Sequence, residues 1–357
     1  MKQFDVAVVG AGPAGSTCAT FCGQAGLRTL LIERENFPRE KVCGDCLNPA
    51  CSPVLDRLGL AQRVRAFHHA KLERVEFIAI DGQTVIVDLP RDNEIAIKRS
   101  VFDQLLLMRA RELGAEVREE TTVTALTRES IWRIETDRDE TFCARILVGA
   151  DGRNSTVARL CNFLPRPERE RVALQSHVPL PRDFGQRIVL RFLPEGYSGQ
   201  SPVNDTELNV CLVAKPHGIG ALKTWAANQF ALSPDHSWRT ITPLTRAAVS
   251  PAHEDLFFIG DAARVVEPFT GEGIYYAMRS GELAASAMVK LIRGGDRPST
   301  LRAFARAFAE MYRGRLWINR LARAAVLAPR VASLFVPAAR VRPEILKFLT
   351  AKIISKE

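Results

Sequence analysis

The chain has 357 residues, of which 46% are hydrophobic and 25% are charged, so it is long enough to fold into two lobes or into one large lobe with an insertion. No uninterrupted apolar stretch reaches the about 20 residues that a membrane-spanning helix needs, and the eight cysteines lack the spacings of a zinc site or of a disulfide scaffold. We therefore expect a cytoplasmic protein with reduced cysteines, without a secretory leader, a metal site or a nucleic-acid partner.

A glycine-rich turn follows the first apolar run, residues 6–9, and precedes a helix of small residues. Gly10 permits a sharp turn, Gly12 lets backbone approach a diphosphate, and Gly15 lets the helix lie close to the sheet. The pattern predicts that the helix start binds the phosphates of an adenine dinucleotide. The predicted contacts are Gly10, Gly12, Pro13, Ala14 and Gly15.

A second apolar run, residues 27–32, ends at Glu33, close to the spacing of about 20 residues at which an acid binds a ribose hydroxyl. We expect Glu33, and Arg34 beside it, to contact the same nucleotide. Further along, residues 71–80 and 83–89 alternate in polarity around Asp81-Gly82 and predict a β-hairpin. Residues 100–113 predict a helix with Ser100 as a possible N-cap and Gly114 as its stop.

Strands are expected around residues 116–126, 131–136 and 141–148, followed by a turn at Asp151-Gly152. Residues 172–245 predict more strands and one helix, residues 222–232. Residues 255–259 then predict a short buried strand that runs into Gly260-Asp261, and a helix follows over residues 274–291. An aspartate after such a strand can bind a ribityl hydroxyl, while the helix start binds a phosphate or a flavin carbonyl.

The net charge of +9 lies at the C-terminal end, because the segment from residue 302 holds nine arginines and three lysines against three glutamates. This segment is also apolar, with expected breaks at Pro329, Pro337 and Pro343. Its helices could lie on an anionic membrane surface. The alternative is that their apolar faces pack on the rest of the protein and their arginines face water.

Four ordered signatures across residues 1–295 resemble those of the FAD-dependent family that contains p-hydroxybenzoate-hydroxylase-like monooxygenases and geranylgeranyl reductases. They are Gly10 to Gly15 with Glu33, Arg99 with Asp103, Asp151-Gly152, and Gly260-Asp261 with Pro268 and Gly271-Glu272-Gly273. The resemblance implies an α/β fold class with a discontinuous FAD-binding Rossmann-like lobe of glutathione-reductase type, a β-sheet substrate lobe and C-terminal helices. It implies bound FAD and a transient electron donor, NAD(P)H or another reductant. The further cofactor contacts that it implies are Arg99, Asp151, Gly260, Asp261, Pro268, Gly271, Gly273 and Ile274.

The corresponding domain boundaries assign residues 1–70, 98–170 and 246–295 to the FAD-binding domain. Residues 71–97 and 171–245 form the substrate domain, and residues 296–357 form the basic helical segment.

Residues 40–47 are similar to the Lys-x-Cys-Gly segment of the reductases, where the chain passes over the flavin ring. The match implies that Cys43 lies nearest the redox centre and that Gly44 permits close backbone approach. A thiolate at Cys43 would need a positive neighbour such as Lys41, whereas a neutral thiol could deliver a proton. Cys43 and Cys46 could also form a dithiol, although Cys46 is more simply a small apolar residue.

The reductases carry a second signature, P-x-x-Y-x-W-x-F-P, and Pro194, Tyr197 and Pro202 preserve its frame. Gly199 and Ser201 stand where the family has its Trp and Phe. Loss of these two rings opens a wider or more polar cavity. The resemblance therefore supports the flavin chemistry of the family better than it supports the family's isoprenoid substrate. Tyr197 remains a candidate catalytic residue.

Three functions stay open. The first is reduction of carbon–carbon double bonds in an apolar, isoprenoid-like or polyene substrate, and the second is hydroxylation of an aromatic or alkene by a monooxygenase. Halogenation is disfavoured because the W-x-W motif of flavin-dependent halogenases is absent. A non-catalytic lipid-binding escort is the third, and the intact glycines argue against it. The six histidines, His68 and His69 among them, are expected at the surface or in caps.

Overall fold

The computed structural model describes residues 2–89, 94–167 and 171–341, together with residue 344. Its strands are β1 (Lys2–Val9), β2 (Thr29–Ile32), β3 (Cys46–Leu47), β4 (Ala70–Leu72), β5 (Arg74–Ile78), β6 (Thr84–Asp88), β7 (Glu94–Ala96), β8 (Glu116–Arg118), β9 (Val123–Arg128), β10 (Trp132–Thr136), β11 (Thr141–Gly149), β12 (Val172–Pro179), β13 (Arg187–Leu193), β14 (Gly196–Pro202), β15 (Glu207–Ala214), β16 (Arg239–Ile241), β17 (Ala252–His253) and β18 (Leu256–Phe258). Its helices are α1 (Pro13–Gln24), α2 (Ser52–Leu58), α3 (Ala61–Ala66), α4 (Arg99–Glu112), α5 (Thr156–Leu160), α6 (Ile219–Phe230), α7 (Gly273–Ile292), α8 (Arg297–Glu310), α9 (Leu316–Leu327) and α10 (Pro329–Val341).

The first sheet has the order β17-β18-β11-β1-β2-β8, and its central strands β18, β11, β1, β2 and β8 are parallel. The strand β10 pairs antiparallel with the first half of β11, and β9 pairs antiparallel with β10. The central strands β1 and β2 are almost continuously apolar and buried, as expected for a parallel sheet that helices cover. The adjoining turns carry the predicted glycine signatures, so folding gathers them at the carboxyl ends of parallel strands.

The second sheet has the order β16-β12-β15-β14-β13-β5-β6. A small third sheet has the order β3-β7-β4, and along the chain its strands come between strands of the two large sheets. The predicted hairpin at Asp81-Gly82 is confirmed, because β5 and β6 pair antiparallel with Ile78 opposite Thr84. The predicted α/β fold class is also confirmed. The domain boundaries stay a prediction.

Two local expectations were wrong. The helix α4 begins at Arg99 with Lys98 in the N-cap position, so Ser100 does not cap it. The backbone of α10 continues as helix across residue 337, so only Pro329, at the start of α10, coincides with a helix boundary. Pro343 and the apolar residues predicted near the C-terminus lie outside the described residues; the latter are Ile345, Leu346, Phe348, Leu349, Ile353 and Ile354.

The C-terminal helices pack on the second sheet and on the loop before α7. Ser333 in α10 accepts a hydrogen bond from the Ile80 backbone N–H at 2.7 Å. Asn319 in α9 accepts one from the Glu267 N–H at 2.8 Å. The side chains of Ile318, Val326 and Val336 are buried there. These contacts agree with the expectation that the tail packs on the protein, although other apolar residues of the tail remain exposed.

The helices α1 and α7 lie in direct contact because small residues face each other. Both Cys18 and Cys22 of α1 are fully buried. Gly281 in α7 lies so close to α1 that a Cβ atom there would stand 2.4 Å from the Ala14 carbonyl oxygen. The neighbour is backbone, which has little freedom to move away.

Substitution Gly281→Ala should therefore destabilise the fold by about 1–3 kcal/mol through overpacking. Thermal unfolding of the purified protein measures the change. The matched control is Gly220→Ala in α6, where a Cβ atom would meet nothing within 4 Å. That change should be neutral or stabilising, since alanine is the better helix former. Equal stability of the two variants would contradict the packing argument.

Candidate functional site

A cavity of about 1320 Å³ runs from the first sheet's glycine turns to the face of the second sheet. Ligand sites usually measure about 300–1,000 Å³, so this space can hold more than one small molecule. Most residues that the sequence marked as functional line it: Gly10, Gly12, Pro13, Ala14, Glu33, Arg34, Cys43, Gly44, Arg99, Asp151, Tyr197, Asp261, Pro268, Gly271, Gly273 and Ile274. Gly15 and Gly260 do not line it and instead pack behind its wall.

The first glycine turn, residues 10–15, has a geometry that suits phosphate binding, and we call it the cradle. Gly10 adopts a φ of +101°, and a Cβ atom there would lie 2.6 Å from the Ala150 carbonyl oxygen. A Cβ atom on Gly15 would lie 1.8 Å from the Gly10 carbonyl oxygen. At Gly12 the nearest atom to such a Cβ would be an Arg39 side-chain nitrogen at 3.5 Å, so this glycine borders open space. No side chain caps the start of α1, which leaves its N–H groups available to an anion.

The distant glycine turn meets this cradle. Gly260 has a φ of +58°, and a Cβ atom on it would lie 2.9 Å from the Ala14 Cβ. Its N–H donates to the Ser280 hydroxyl at 2.9 Å. Asp261, the next residue, lines the cavity and accepts from Arg153 at 3.0 Å. The two turns therefore contribute to one site, as the sequence predicted.

Glu33 lies at the end of β2 and is almost completely buried. One of its oxygens accepts from the Ala11 N–H at 2.8 Å, and the other accepts from the Glu35 N–H at 3.1 Å. Each carboxylate oxygen can accept a second hydrogen bond, so the group can still bind a ribose hydroxyl. Arg34 has a largely exposed side chain at the rim.

Four cationic side chains line the cavity around the cradle, namely Arg39, Lys41, Arg99 and Arg153. Asp103 accepts two hydrogen bonds from Arg99, at 2.7 and 2.8 Å, and pairs with Arg39 at 3.1 Å. Lys41 makes no ion pair with any described residue. Burial, and then the charges of Arg39 and Arg153, lower the pKa of Lys41 to about 8. Lys41 is thus a cation without a carboxylate partner among the described residues, which suits the diphosphate of FAD.

The Cys43-Gly44 segment is held against the second sheet by hydrogen bonds to its carbonyl groups. The Cys43 carbonyl accepts from the Asn209 amide at 2.8 Å and from the Cys211 thiol at 3.2 Å. The Gly44 carbonyl accepts from the Ser201 hydroxyl at 3.0 Å. Ser201, one of the two departures from the family pattern, thus helps to position the segment.

Burial raises the pKa of the Cys43 thiol, although the Arg99 guanidinium opposes this shift. The thiol is therefore neutral at physiological pH. Burial also raises the pKa of Cys46 well above its usual range, and the Cys46 thiol donates to the Gly44 carbonyl at 3.4 Å. Both cysteines are free thiols. In its resting state the Cys43 side chain is therefore a neutral thiol, which can act as a proton donor. A resting thiolate that acts as a nucleophile is disfavoured.

A hydrogen-bonded pair, Asp45 and His177, lies behind this segment, with 2.7 Å between the Asp45 carboxylate and the His177 Nε2. Both side chains are buried. The second Asp45 oxygen accepts from the Arg99 N–H at 3.3 Å. The expectation of surface or capping histidines was therefore wrong for His177. No local pattern marked this pair, because Asp45 precedes β3 of the small sheet and His177 lies on β12 of the second sheet, 132 residues later.

Asp151 lines the cavity, but its carboxylate also completes the start of α5. One oxygen accepts from the Ser155 hydroxyl at 2.5 Å, and the other accepts from the Thr156 N–H at 2.6 Å. Burial raises the pKa of Asp151, and these hydrogen bonds oppose the shift. The turn is thereby fixed against the cradle. A direct cofactor contact by Asp151 stays a prediction.

The start of α7 borders the cavity through Gly271, Gly273 and Ile274, with no side-chain cap on its N–H groups. Its preceding residue, Glu272, is buried and accepts from Arg315 at 2.8 Å. Glu267, further back in the same loop, accepts from Arg171 at 2.8 and 3.1 Å. Sequence reasoning missed both ion pairs, which attach the loop to the second sheet and to α9.

One face of the second sheet closes the cavity. Leu190, Gly199 and Cys211 lie side by side on β13, β14 and β15, and Tyr197 follows on β14. Tyr197 packs edge-on against Phe269 with 5.2 Å between ring centroids. Its hydroxyl has no hydrogen-bond partner among the described residues, and burial raises the pKa of Tyr197 well above its usual range. A Cβ atom on Gly199 would meet only a Leu190 methyl at 3.7 Å, so space replaces the family's indole ring.

The lowered pKa of Lys41 generates a test of FAD binding. Lys41 is charged below about pH 8 and neutral above it, and the diphosphate favours the charged form. The dissociation constant of FAD should therefore rise about threefold to tenfold between about pH 7 and about pH 9, measured by FAD fluorescence. Lys41→Arg should remove most of this dependence, while the exposed control Lys223→Arg should retain it. A flat wild-type profile would count against Lys41 as a phosphate-facing cation.

The chain matches the family model described as FAD binding domain over residues 3–179. The digeranylgeranylglycerophospholipid reductase of Methanocella arvoryzae is 30% identical over 322 residues, which cover 83% of this chain and 80% of that protein. Menaquinone reductase of Mycolicibacterium smegmatis is 29% identical over 331 residues, which cover 80% of this chain and 76% of that protein. Conditioned medium factor receptor 1 of Dictyostelium discoideum is 28% identical over 332 residues, 82% of this chain, and the match spans 64% of its length.

Solved structures share the fold. A geranylgeranyl bacteriochlorophyll reductase-like protein from Thermoplasma acidophilum has a TM-score of 0.79 and 22% identity, over 94% of this chain and 91% of that chain. A flavin-dependent brominase has a TM-score of 0.79 and 20% identity, over 99% and 95% of the respective chains. Within the described residues, no helix is both long and apolar enough to cross a membrane.

The cradle, the cationic side chains and the helix starts fit FAD, and residues from the predicted signatures line one cavity. The relatives align with this chain over most of its length. The protein is an FAD-dependent oxidoreductase. The chain belongs to the geranylgeranyl reductase-like family within the p-hydroxybenzoate hydroxylase-type flavoprotein superfamily.

Proposed function

We propose that this protein reduces carbon–carbon double bonds of an apolar, isoprenoid-like or polyene substrate. The observation that carries the proposal is the position of the Cys43-Gly44 segment, which is tied by three hydrogen bonds to a largely apolar sheet face and lines the same cavity as the cradle. Two relatives support it, since one is named a reductase of a geranylgeranyl lipid and another a reductase of menaquinone.

The cradle and the start of α7 would hold FAD, which, when reduced by NAD(P)H or another donor, would supply a hydride to one carbon of the double bond. The chain's own residues supply the rest. The neutral Cys43 thiol can give its proton to the other carbon, and water then reprotonates the sulfur. Tyr197, whose hydroxyl stays protonated, can deliver a proton through water in the same way. The apolar walls, which include Phe77, Phe192 and Leu244, exclude bulk water.

The test mixes the FAD-loaded, chemically reduced protein with digeranylgeranylglycerophospholipid or menaquinone without oxygen. We expect the flavin to be reoxidised, as measured by absorbance. After any quinol has been oxidised back to quinone in air, mass spectrometry should show that the isoprenoid chain keeps two added hydrogen atoms for each reduced double bond. In the same assay, Cys43→Ala should slow flavin reoxidation about a hundredfold or more if the thiol is the proton donor. The control Cys161→Ala removes a thiol outside the cavity and should leave the rate unchanged.

Other results have definite meanings. If neither compound reoxidises the flavin without oxygen, and oxygen atoms enter the substrate in air, the protein is a monooxygenase and the reductase proposal is wrong. If the reduction proceeds at the wild-type rate in Cys43→Ala, another group delivers the proton, and Tyr197→Phe becomes the decisive variant.

We further propose that α9 and α10 contact an anionic membrane surface from which the substrate enters. Trp317, Leu334 and Phe335 are 46%, 74% and 67% exposed. Leu321 and Phe335 are exposed and also line the cavity, so an apolar path joins the surface to the interior. Exposed arginines, Arg313, Arg320 and Arg330 among them, surround this patch.

The protein should sediment with vesicles that contain phosphatidylglycerol and much less with phosphatidylcholine vesicles, because basic residues favour anionic lipid. The double variant Trp317→Ser with Leu334→Ser should lose this binding. The control Met108→Ser, which removes a similarly exposed apolar side chain from α4, should retain it. Equal binding by the double variant and the wild type would contradict the proposal.

A further inference from the structure

Glu94, in the short strand β7, carries a buried carboxyl group. Its side chain borders the cavity, and the residue is only 9% exposed. It forms no hydrogen bond or ion pair with any described residue. Burial alone raises the pKa of Glu94 to about 7. Buried polar groups in folded proteins almost always have partners, so this exception needs an explanation.

The surroundings of Glu94 show where in the cavity it lies. Strand β7 pairs antiparallel with β3, with Ala96 opposite Cys46, and Cys46 packs against the same apolar cluster as Ile188 and Leu190. Ser201 stands two residues after Gly199 on β14, so both side-chain positions face the same side of the second sheet. Glu94, Cys46, Gly199 and Ser201 all line the cavity. We call this corner the Glu94 subsite.

The Glu94 subsite coincides with the two departures from the reductase signature. Trp and Phe would fill this corner with large apolar surfaces, whereas Gly199 and Ser201 leave it open. The neighbouring walls, Val75, Ile188 and Leu190, are apolar and cannot satisfy a carboxyl group. A purely hydrocarbon ligand would seal Glu94 away from water without a hydrogen bond, which is costly.

We propose that the Glu94 subsite binds a hydroxyl group carried by an otherwise apolar substrate. The hydroxyl donates to the Glu94 carboxylate, and the Gly199 position provides the room for it. The inference rests on the proposed function in one respect, which is that the substrate binds in the cavity against the face of the second sheet. It adds a chemical criterion that selects among apolar substrates.

The experiment compares two probes with the same chain, geranylgeraniol and the hydrocarbon in which hydrogen replaces its hydroxyl group. Binding to the FAD-loaded, oxidised protein is measured through the change in flavin absorbance, so no turnover is required. The wild type should bind the alcohol about tenfold more tightly, as expected for a hydrogen bond to a charged group. Glu94→Leu should lose this preference, and Glu94→Gln, which keeps an acceptor oxygen, should retain part of it.

Two variants act as controls. Glu129→Leu removes an exposed glutamate far from the cavity and should keep the full preference. Gly199→Trp restores the family's ring, so it should weaken binding of the alcohol more than binding of the hydrocarbon.

Equal affinity of the wild type for both probes, or a preference that survives in Glu94→Leu, would overturn the subsite. A wild type that prefers the alcohol but never reduces it would support the subsite and contradict the proposed reaction. Failure to bind either probe would overturn both.

Discussion

The structure depends on three places where backbone touches backbone or a methyl group with no side chain between. Gly15 of α1 lies against the Gly10 carbonyl, Gly10 lies against Ala150, and Gly260 lies against Ala14. Any larger residue would separate turns that are far apart in sequence, because the groups they meet are fixed by the sheet or by α1. The cavity can accept a nucleotide at this end only because the turns meet there. Every chemical property of the site therefore depends on the close packing of these glycines.

Charge is the second constraint, and it opposes stability. Arg39, Lys41, Arg99 and Arg153 line the cavity around the cradle. The three arginines pair with Glu33, Asp103 and Asp261, whereas Lys41 has no ion pair with a described residue. Buried ion pairs seldom add much to stability, because the cost of desolvation offsets the attraction. Burial, and then the charges of Arg39 and Arg153, lower the pKa of Lys41. A chain selected only for stability would not gather these charges, whereas one that binds a diphosphate gains from each of them.

The sequence predicted the parts of the site whose signals are local. The glycines, Glu33 and the start of α7 each follow a strand or begin a helix, so spacing alone identifies them. The Asp45–His177 and Arg171–Glu267 pairs could not be found in this way, since their members belong to distant segments and meet only through the packing of the second sheet. Glu94 was missed for a related reason: an acid in a three-residue strand looks exposed until the sheet that buries it is known. Asp151 is the opposite case. The sequence predicted a cofactor contact for it, whereas its carboxylate hydrogen bonds in the structure go to Ser155 and to the start of α5.

The loop before α7 joins the two ends of the cavity. Its glycines border the cofactor side, while Glu267 and Glu272 bind arginines from the second sheet and from the residue before α9. Breaking either pair would remove charged hydrogen bonds from a buried carboxylate, so the two pairs help to hold the loop, the sheet and α9 in a common position. The same helix α9 presents Ile318 and Leu321 to the cavity. A displacement of α9, whether by substrate or by a membrane surface, must therefore be transmitted to the loop that borders the cofactor. The arrangement links access to the chamber with the geometry at the flavin, and it does so through two ion pairs rather than through a hinge.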